Sequence, residues 1–410
     1  MQSAVVIGAG ITGVAAALAL IRDGRAVTLV DRLEPGDPGQ TSFGNAGLIA
    51  RASIVPVQEP WLILKAPRML LDRDGPLFLL PAHAARLAPW LVRFLGNGAR
   101  ARLDRIVPAL WALTRDAVEA HRALAAGTGA EGLIATGAYG YLYRDRAAFA
   151  ADAAGFARKA AQGIVWDERS AAAIDPALGP AYRHAAVLPD HGWILDPGAY
   201  VAALARAFAA AGGRVLRAEV RALAPTEAGV RVETDAGPIE ADRAVLAAGV
   251  WSARLAAGLG ATVPLESERG YHVMLEGATR RPPFPLMLAD RALVLTPMAG
   301  GLRAAGLVEF GGTEAGPSEA PVALIRRALR RAYPDLRWDS ETVWMGHRPT
   351  LPDSLPMLGP LPAAPSVIAA FGGQHLGLTI GPRLGRLAAD LAAGRRPNLD
   401  LAPYAPGRFA

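Results

Sequence analysis

Three glycines in GAGITG, Gly8, Gly10 and Gly13, are followed by an acid, Asp31, that closes the next strand-like run. Gly8 permits a tight turn, Gly10 lets the backbone approach a pyrophosphate, and Gly13 allows a helix to pack closely on a strand. Phosphates would sit at the helix N-terminus, where free N–H groups point at them. The Asp31 carboxylate would accept from a ribose 2′-hydroxyl. That is the chemistry of dinucleotide binding. Just beyond, GQTSFGNAGLIA (39–50) crowds Thr41, Ser42, Asn45 and the glycines 39, 44 and 47 into nine positions. Such a stretch is either a loop around something buried or a solvent-facing turn.

The elements around these residues decide how much the spacing is worth. AVVIG (4–8) reads as a short buried strand, VAAALALIRDG as a helix stopping at Gly24, and AVTLVD (26–31) as a second apolar strand. A strand before the glycines and a helix after them make a βαβ unit with the dinucleotide fingerprint. A nicotinamide enzyme would usually add further βα units past Asp31, whereas this chain turns at once into the polar loop. FAD is longer and needs such cover: Ser42 and Asn45 can bond to phosphate or ribityl oxygens, and Gly44 and Gly47 admit the flavin ring without a clash. Alternating character returns at DPGAYVAALARAFAAAGG, where Asp196 caps a helix opened by Pro197 and ended by Gly212 and Gly213. A hairpin around 235–237 follows, then a buried strand AVLAAG, whose small residues Ala247, Ala248 and Gly249 let a cofactor pass over the strand end. Residues 269–310 alternate in short strand-like pieces, consistent with a largely antiparallel sheet, and a helix over 318–332 closes them.

Residues 52–97 hold prolines at 56, 60, 67, 76, 81 and 89 among the apolar pieces WLILK, PLFLLP and LAPWLVRFL, which predicts short helices and turns. One reading packs them on a second domain. The other is an exposed apolar patch resting on a membrane surface near Arg68, Arg73 and Arg86. A helix is expected over 101–127, burying Leu103, Val107, Leu110, Leu113 and Ala117 and bent by Pro108.

Composition narrows the function classes. The 410 residues are 52% apolar, as for a folded enzyme, and their number predicts two structural domains. The charge is +6, but only Lys65 and Lys159 are lysine and the arginines are spread along the chain, which argues against nucleic acid as a partner. The absence of cysteine excludes disulfides, thiol catalysis and Cys-ligated metals. The seven histidines show no metal-binding spacing, so no metal is expected. MQSAVVIGAG lacks the basic start of a signal peptide and no run spans a bilayer, so a cytoplasmic chain is expected, or one peripheral on the inner face of the cytoplasmic membrane.

GAGITG, Asp31, TSFGNAG, DPGAY, AAGVWS, HRPTLPDSLPMLG and GGQHLGLTIGP in this order resemble the FAD-dependent D-amino-acid dehydrogenase and glycine/sarcosine oxidase family. TSFGNAG is most similar to the bacterial D-amino-acid dehydrogenase branch, which includes enzymes acting on D-hydroxyproline. The resemblance spans nearly the whole chain and is thin between residues 52 and 190. It implies an α/β fold, α+β overall: a Rossmann-like FAD-binding domain from residues 1–50, 191–255 and 341–410, and a substrate domain from 51–190 and 256–340. It implies non-covalent FAD, with an adenine-side contact at Val220, another at Gly249, and the flavin between the Ser42–Gly47 loop and GGQHLGLTIGP. Ile11, Thr12, Arg32, Thr41, Ala46, Leu48 and Trp251 join the cofactor neighbours on this reading. In the C-terminal loop Gly372, Gly373 and Gly377 let N–H groups reach the ring's pyrimidine edge, beside His375, Leu376 and Leu378. A helix beginning near Thr379 would aim its positive end where charge grows on reduction.

Hydride transfer from an amino acid's α-carbon needs orientation more than acid–base machinery. It demands a cation for the carboxylate, ideally the fork of an arginine. Arg348 in GHRPTLPD matches the family's arginine of that role, with His347 pointing away. In ERGYHVML, Tyr271 and His272 alternate sides: either Tyr271 bonds the carboxylate or His272 touches the amine. His375 is either a loop-packing residue or a flavin or substrate neighbour. The C-terminal half contains no lysine, which disfavours an oxygen-reacting site of the sarcosine-oxidase kind. The expected activity is oxidation of a D-amino acid or a cyclic secondary, proline-like amino acid to an imine, with electrons leaving to a quinone or another carrier. An oxygen-using oxidase is the nearest alternative, and a non-catalytic flavoprotein the alternative of another class.

Overall fold

The structure, a computed structural model, describes residues 2–58 and 75–409. β1 (Ser3–Ile7), the helix Ile11–Arg22 and β2 (Ala26–Asp31) form the opening βαβ unit, and β3 (Leu48–Ile49) follows the polar loop. The middle of the chain carries β4 (Leu77–Leu79), β5 (Ile134–Tyr143), β6 (Asp167–Ser170) and β7 (His184–Ile194). The helix Pro197–Ala210, capped by the Asp196 side chain as its sequence predicts, leads to β8 (Arg214–Arg217). A three-stranded meander, β9 (Val220–Thr226), β10 (Gly229–Thr234) and β11 (Ile239–Ala241), precedes β12 (Arg243–Leu246). Then come β13 (Glu266–Glu276), β14 (Leu286–Leu288), β15 (Leu293–Met298), β16 (Gly301–Phe310), the helix Glu319–Ala332 and β17 (Ser340–Thr350). β18 (Met357–Leu361), β19 (Ala364–Phe371) and the helix Gly377–Ala392 complete the fold.

Two large sheets result. The first runs β18-β19-β12-β1-β2-β8, parallel except for β18, with β1 at its middle. β1 is apolar on both faces because both are covered, as buried parallel strands require. The helix Ile11–Arg22 is built of small residues because the C-terminal helix lies directly on it: a side chain at Gly381 would run into Ile11, and one at Gly385 into Thr12 and Ala15. The second sheet has ten strands, β17-β13-β16-β15-β14-β5-β7-β3 with β4 on β16 and β6 on β7, and is largely antiparallel. β7 and β17 belong to this second sheet. The segment carrying Arg348, within the expected bounds 341–410, therefore stands in the second sheet and not in the first.

The proline-rich stretch partly departs from the sequence reading. WLILK, Arg68 and Arg73 lie outside the described residues. PLFLLP supplies β4, and LAPWLVRFL lies in one 13-residue helix, Ala84–Gly96, that runs through Pro89 and buries Leu87 and Trp90 while Val92 stays exposed. No helix among the described residues is long and apolar enough to cross a membrane. The five apolar residues expected to line the helix over 101–127 are all buried, but the chain breaks into Arg100–Thr114 and Ala117–Ala125 at Arg115 and Asp116. Pro108 sits inside the first of these.

Three histidines are buried as neutral rings. His121 has one ring nitrogen 2.9 Å from Leu378 O and the other 3.0 Å from the Tyr200 hydroxyl. His191 donates to Pro189 O and accepts from Ala52 N, while His272 donates to Gly44 O. Burial pushes their pKa values down from 6.5, to about 4, about 4 and about 3. The unfolded chain then takes up protons that the folded chain refuses. Stability is full above pH 6.5 and is lost as pH falls, by about 1.4 kcal/mol per histidine per pH unit until the folded value is reached. Thermal unfolding from pH 7.5 to 5 should show Tm falling steeply below pH 6.5. A Tm that holds level to pH 5 would contradict the assignment of neutral rings.

Candidate active site

One cavity runs from the glycine turn to the face of the second sheet, with an empty volume of about 2170 Å³ counting the solvent at its mouth. At one end Gly8 takes a positive φ of 103°, and a Cβ there would lie closer than 3.0 Å to Ala247 O. A Cβ on Gly13 would overlap Gly8 O, so Gly13 serves the helix–strand contact and does not line the cavity. Asp31 caps the turn from below: its carboxylate accepts from Ala9 N at 2.7 Å and Leu33 N at 2.9 Å. Burial raises its pKa, and these bonds oppose the rise. Arg32 lies over the Trp251 ring at 4.0 Å, and Val220, Ala248 and Gly249 line the cavity beside them. A cradle where only glycine fits and an acid at the end of the next strand together fit an adenine dinucleotide.

The polar loop over 38–48 borders the cavity and is held largely by the second sheet. Trp344 Nε1 donates to Pro38 O at 2.7 Å, the Thr41 hydroxyl to His347 O at 2.8 Å, and the buried Arg303 to Phe43 O and Asn45 O. Trp344 fills the space a side chain on Gly44 would need and stacks on His272 at 5.2 Å. On the nucleotide side Ser42 Oγ accepts from Ile11 N at 3.0 Å, at the first turn of the helix. Asn45 Oδ1 accepts from Gly47 N, so its carbonyl end shapes the turn. Thr41, Ala46 and Leu48 line the cavity, whereas Gly47 does not: its φ of 78° places it against Ile194 O and Met298.

The far wall comes from Gly372–Leu378. The C-terminal helix starts at Gly377, two residues earlier than expected, and presents its N-terminus to the cavity with Gly373, Leu376 and Leu378. Thr379 is displaced from the cofactor side by that shift in phase. Its hydroxyl accepts from Ala50 N and donates to Leu48 O, tying the helix to β3. His375 opens onto the cavity but is otherwise enclosed by protein, which lowers its pKa; Glu268 acts to raise it and Arg348 to lower it.

Arg348 lies on the cavity face of the second sheet. Antiparallel pairing of β13 with β17 sets Glu268 opposite Arg348 and Gly270 opposite Gly346, so the four share one face. Arg348 Nη1 donates to Glu268 Oε1 at 2.9 Å and to Leu307 O at 2.7 Å, and Nη2 to Gly306 O at 3.2 Å. Leu307 has a φ of 59°, unusual for a branched residue, where the register of β16 on β13 shifts. That irregularity turns two successive carbonyls toward one guanidinium. Glu268 Oε2 accepts from the Thr350 hydroxyl at 3.3 Å. Arg348 is thus a held cation with an acid beside it in the same cavity.

Tyr271 is among the residues that line the cavity, whereas His272 is not. The Tyr271 hydroxyl turns to the opposite face of the sheet, donating to Glu309 Oε2 at 2.5 Å and accepting from Ser318 N at 3.0 Å. His272 shares Arg348's face, but its ring is covered by Trp344 and does not line the cavity. His347 points away as expected, to Ser267 at 2.8 Å. Sequence reasoning missed Glu268, Leu307, Arg303 and Trp344. Only Gly270 left a signal, as a glycine inside a strand. A Cβ there would lie closer than 3.0 Å to the Arg348 guanidinium. Gly270→Ala should retain the cofactor while raising the substrate concentration for half-maximal rate about tenfold or more, because three bonds pin the group that must move. Unchanged saturation kinetics would show that the guanidinium tolerates displacement.

The sequence matches the DAO family, FAD-dependent oxidoreductases, over residues 3–391. It is 38% identical over 413 residues to the D-amino-acid oxidase of Bradyrhizobium diazoefficiens, covering 98% of each chain. It is 32% identical to D-amino acid dehydrogenase 2 of Ralstonia nicotianae, covering 98% of this chain and 99% of that one. Glycine oxidase from Geobacillus kaustophilus has the same fold, with a TM-score of 0.73 at 22% identity over 100% of this chain and 99% of that one. L-proline dehydrogenase from P. horikoshii shares it too, with a TM-score of 0.72 at 18% identity over 100% and 97%.

Proposed function

The chain belongs to the DAO family of FAD-dependent oxidoreductases, and we propose that it oxidises the carbon–nitrogen bond of a D-amino acid or a cyclic secondary amino acid, with a quinone or another carrier as electron acceptor. The observation that carries this reading is the continuity of one cavity from the dinucleotide cradle to Arg348. FAD, when bound, supplies the hydride acceptor. Everything else falls to the chain. Arg348 takes the substrate carboxylate and fixes the orientation of the α-carbon. Met287, Val294 and Val308 offer an apolar wall for the substrate's side chain or ring. The names of the relatives support an amino acid as substrate, and D configuration follows the same names.

A second reading, in which oxygen is the acceptor, is favoured by the 38% identity to a protein named D-amino-acid oxidase. The absence of lysine from the C-terminal half favours the carrier instead. Anaerobic mixing with a panel of D-amino acids, prolines and N-methyl amino acids should bleach the flavin with at least one of them. The reduced protein should then reoxidise quickly with a quinone analogue and slowly in air. Fast reoxidation in air with stoichiometric peroxide would replace the dehydrogenase by the oxidase. Failure of every amino acid to bleach the flavin would remove the proposed activity.

A further inference from the structure

The acid paired with Arg348 stands on the second sheet and lines the same cavity. Glu268 lies directly across the strand pair from Arg348, both side chains line the cavity, and both are mostly buried, with side-chain exposures of 12% and 17%. Gly270 leaves the floor beneath the guanidinium bare. Leu307 and Gly306 hold the cation from the backbone side, so Arg348 has partners besides Glu268. A lone arginine would attract any carboxylate. A carboxylate beside it makes the pair formally neutral and gives the site a positive and a negative end about one hydrogen bond apart.

We infer that Glu268 is a specificity residue that receives the substrate's ammonium group, so that Glu268 and Arg348 together recognise a zwitterion. This rests on the amino-acid reading of the site and names the second half of that recognition. The substrate carboxylate shares the Arg348 fork, while its cationic nitrogen faces Glu268 and neutralises the acid that would otherwise repel the carboxylate. A carboxylate without an amine meets the acid's charge uncompensated, and like charges brought together in a partly desolvated site are costly. Glu268 therefore acts by rejection as much as by attraction. It also favours turnover: hydrolysis of the imine leaves a 2-oxo acid, which has lost the group that Glu268 holds.

The test uses the FAD-loaded protein with D-alanine and propionate, which differ by the amine alone. Propionate binding is read from perturbation of the flavin spectrum. D-alanine is read from the half-saturation of anaerobic flavin reduction, or from the same perturbation if the flavin stays oxidised. The native protein should bind D-alanine at least tenfold more tightly than propionate. Glu268→Gln should weaken D-alanine and tighten propionate, each by about tenfold or more, so that the preference reverses. If Glu268→Gln weakens both ligands alike, Glu268 merely positions Arg348 and the inference falls. Should the variant fail to hold FAD, the native protein decides: propionate binding as tight as D-alanine overturns the inference. The propionate arm needs no turnover, so a flavin that no amino acid reduces would remove the proposed activity while leaving the propionate result interpretable.

Discussion

Replacing Arg348 by methionine is expected to leave FAD bound and to lower kcat/KM for an amino-acid substrate by about 30-fold to several thousand-fold. The range corresponds to the roughly 2–5 kcal/mol lost when a charged partner is removed from a desolvated carboxylate. The cofactor should stay because its cradle lies on β1, β2 and the two helices that flank them, whereas Arg348 stands on β17 in the other sheet. Methionine also strands Glu268, which among the described residues keeps only the Thr350 hydroxyl at 3.3 Å. Part of any loss of Tm in the single variant therefore reports an uncompensated acid. Adding Glu268→Gln to Arg348→Met should restore that part of Tm without restoring kcat/KM. Arg348→Lys should recover only a fraction of the activity, because one ammonium cannot serve Leu307 O, Gly306 O and a substrate carboxylate in one plane. Native kcat/KM in the methionine variant would make Arg348 a structural arginine.

Gly13→Ala is expected to yield protein almost without flavin. The added methyl would overlap Gly8 O, and relief requires moving either the helix Ile11–Arg22 or the turn that carries Gly8. Gly8 itself is tied to β2, its N–H donating to Val30 O at 2.8 Å. Overpacking of this kind costs about 1–3 kcal/mol in a well-packed interior, and here it would displace the turn expected to cradle the phosphates. The fraction of purified protein carrying FAD, read from absorbance near 450 nm against 280 nm, should fall by about tenfold or more if that cost falls on binding. Gly96→Ala is the matching control, because a Cβ at that position meets nothing within 4 Å. Equal flavin content in the two variants would dissociate the glycine turn from cofactor binding.

Legibility in the sequence followed distance along the chain. The βαβ unit could be read because its glycines, helix and acid act on neighbours within one supersecondary unit, so spacing alone carries the geometry. Asp196 was legible for the same reason: a cap acts three residues away. Arg348 could be singled out by the chemistry it must do, but Glu268 could not, since their meeting depends on the register of two strands eighty residues apart. Leu307 and Gly306 act through backbone oxygens, which residue types do not advertise. Alternation along β13 separated Tyr271 from His272, yet it could not show that Trp344 would cover the histidine and Glu309 claim the tyrosine. Thr379 was misplaced because a two-residue error in a helix start turns a side chain through about 200°, slightly more than a half-turn.

The order of strands in the first sheet has a consequence for how the protein comes to exist in the cell. β1 pairs with β2 close by, but its other neighbour is β12, which in turn needs β19, and the helix Ile11–Arg22 is covered by the helix Gly377–Ala392. At translation rates of about 5–20 residues per second, roughly twenty to seventy-five seconds separate the emergence of the first strand from that of the last helix. Through that interval an apolar strand and an alanine-rich helix are without their covering surfaces, the condition in which nascent chains engage chaperones. Nor does the flavin site exist in any earlier fragment, since its walls come from both ends of the polypeptide. Vitamin supply thereby reaches this protein at the final stage of its maturation: a bound cofactor stabilises only the finished fold, and scarcity of riboflavin is expected to register as lost protein abundance before it registers as idle enzyme.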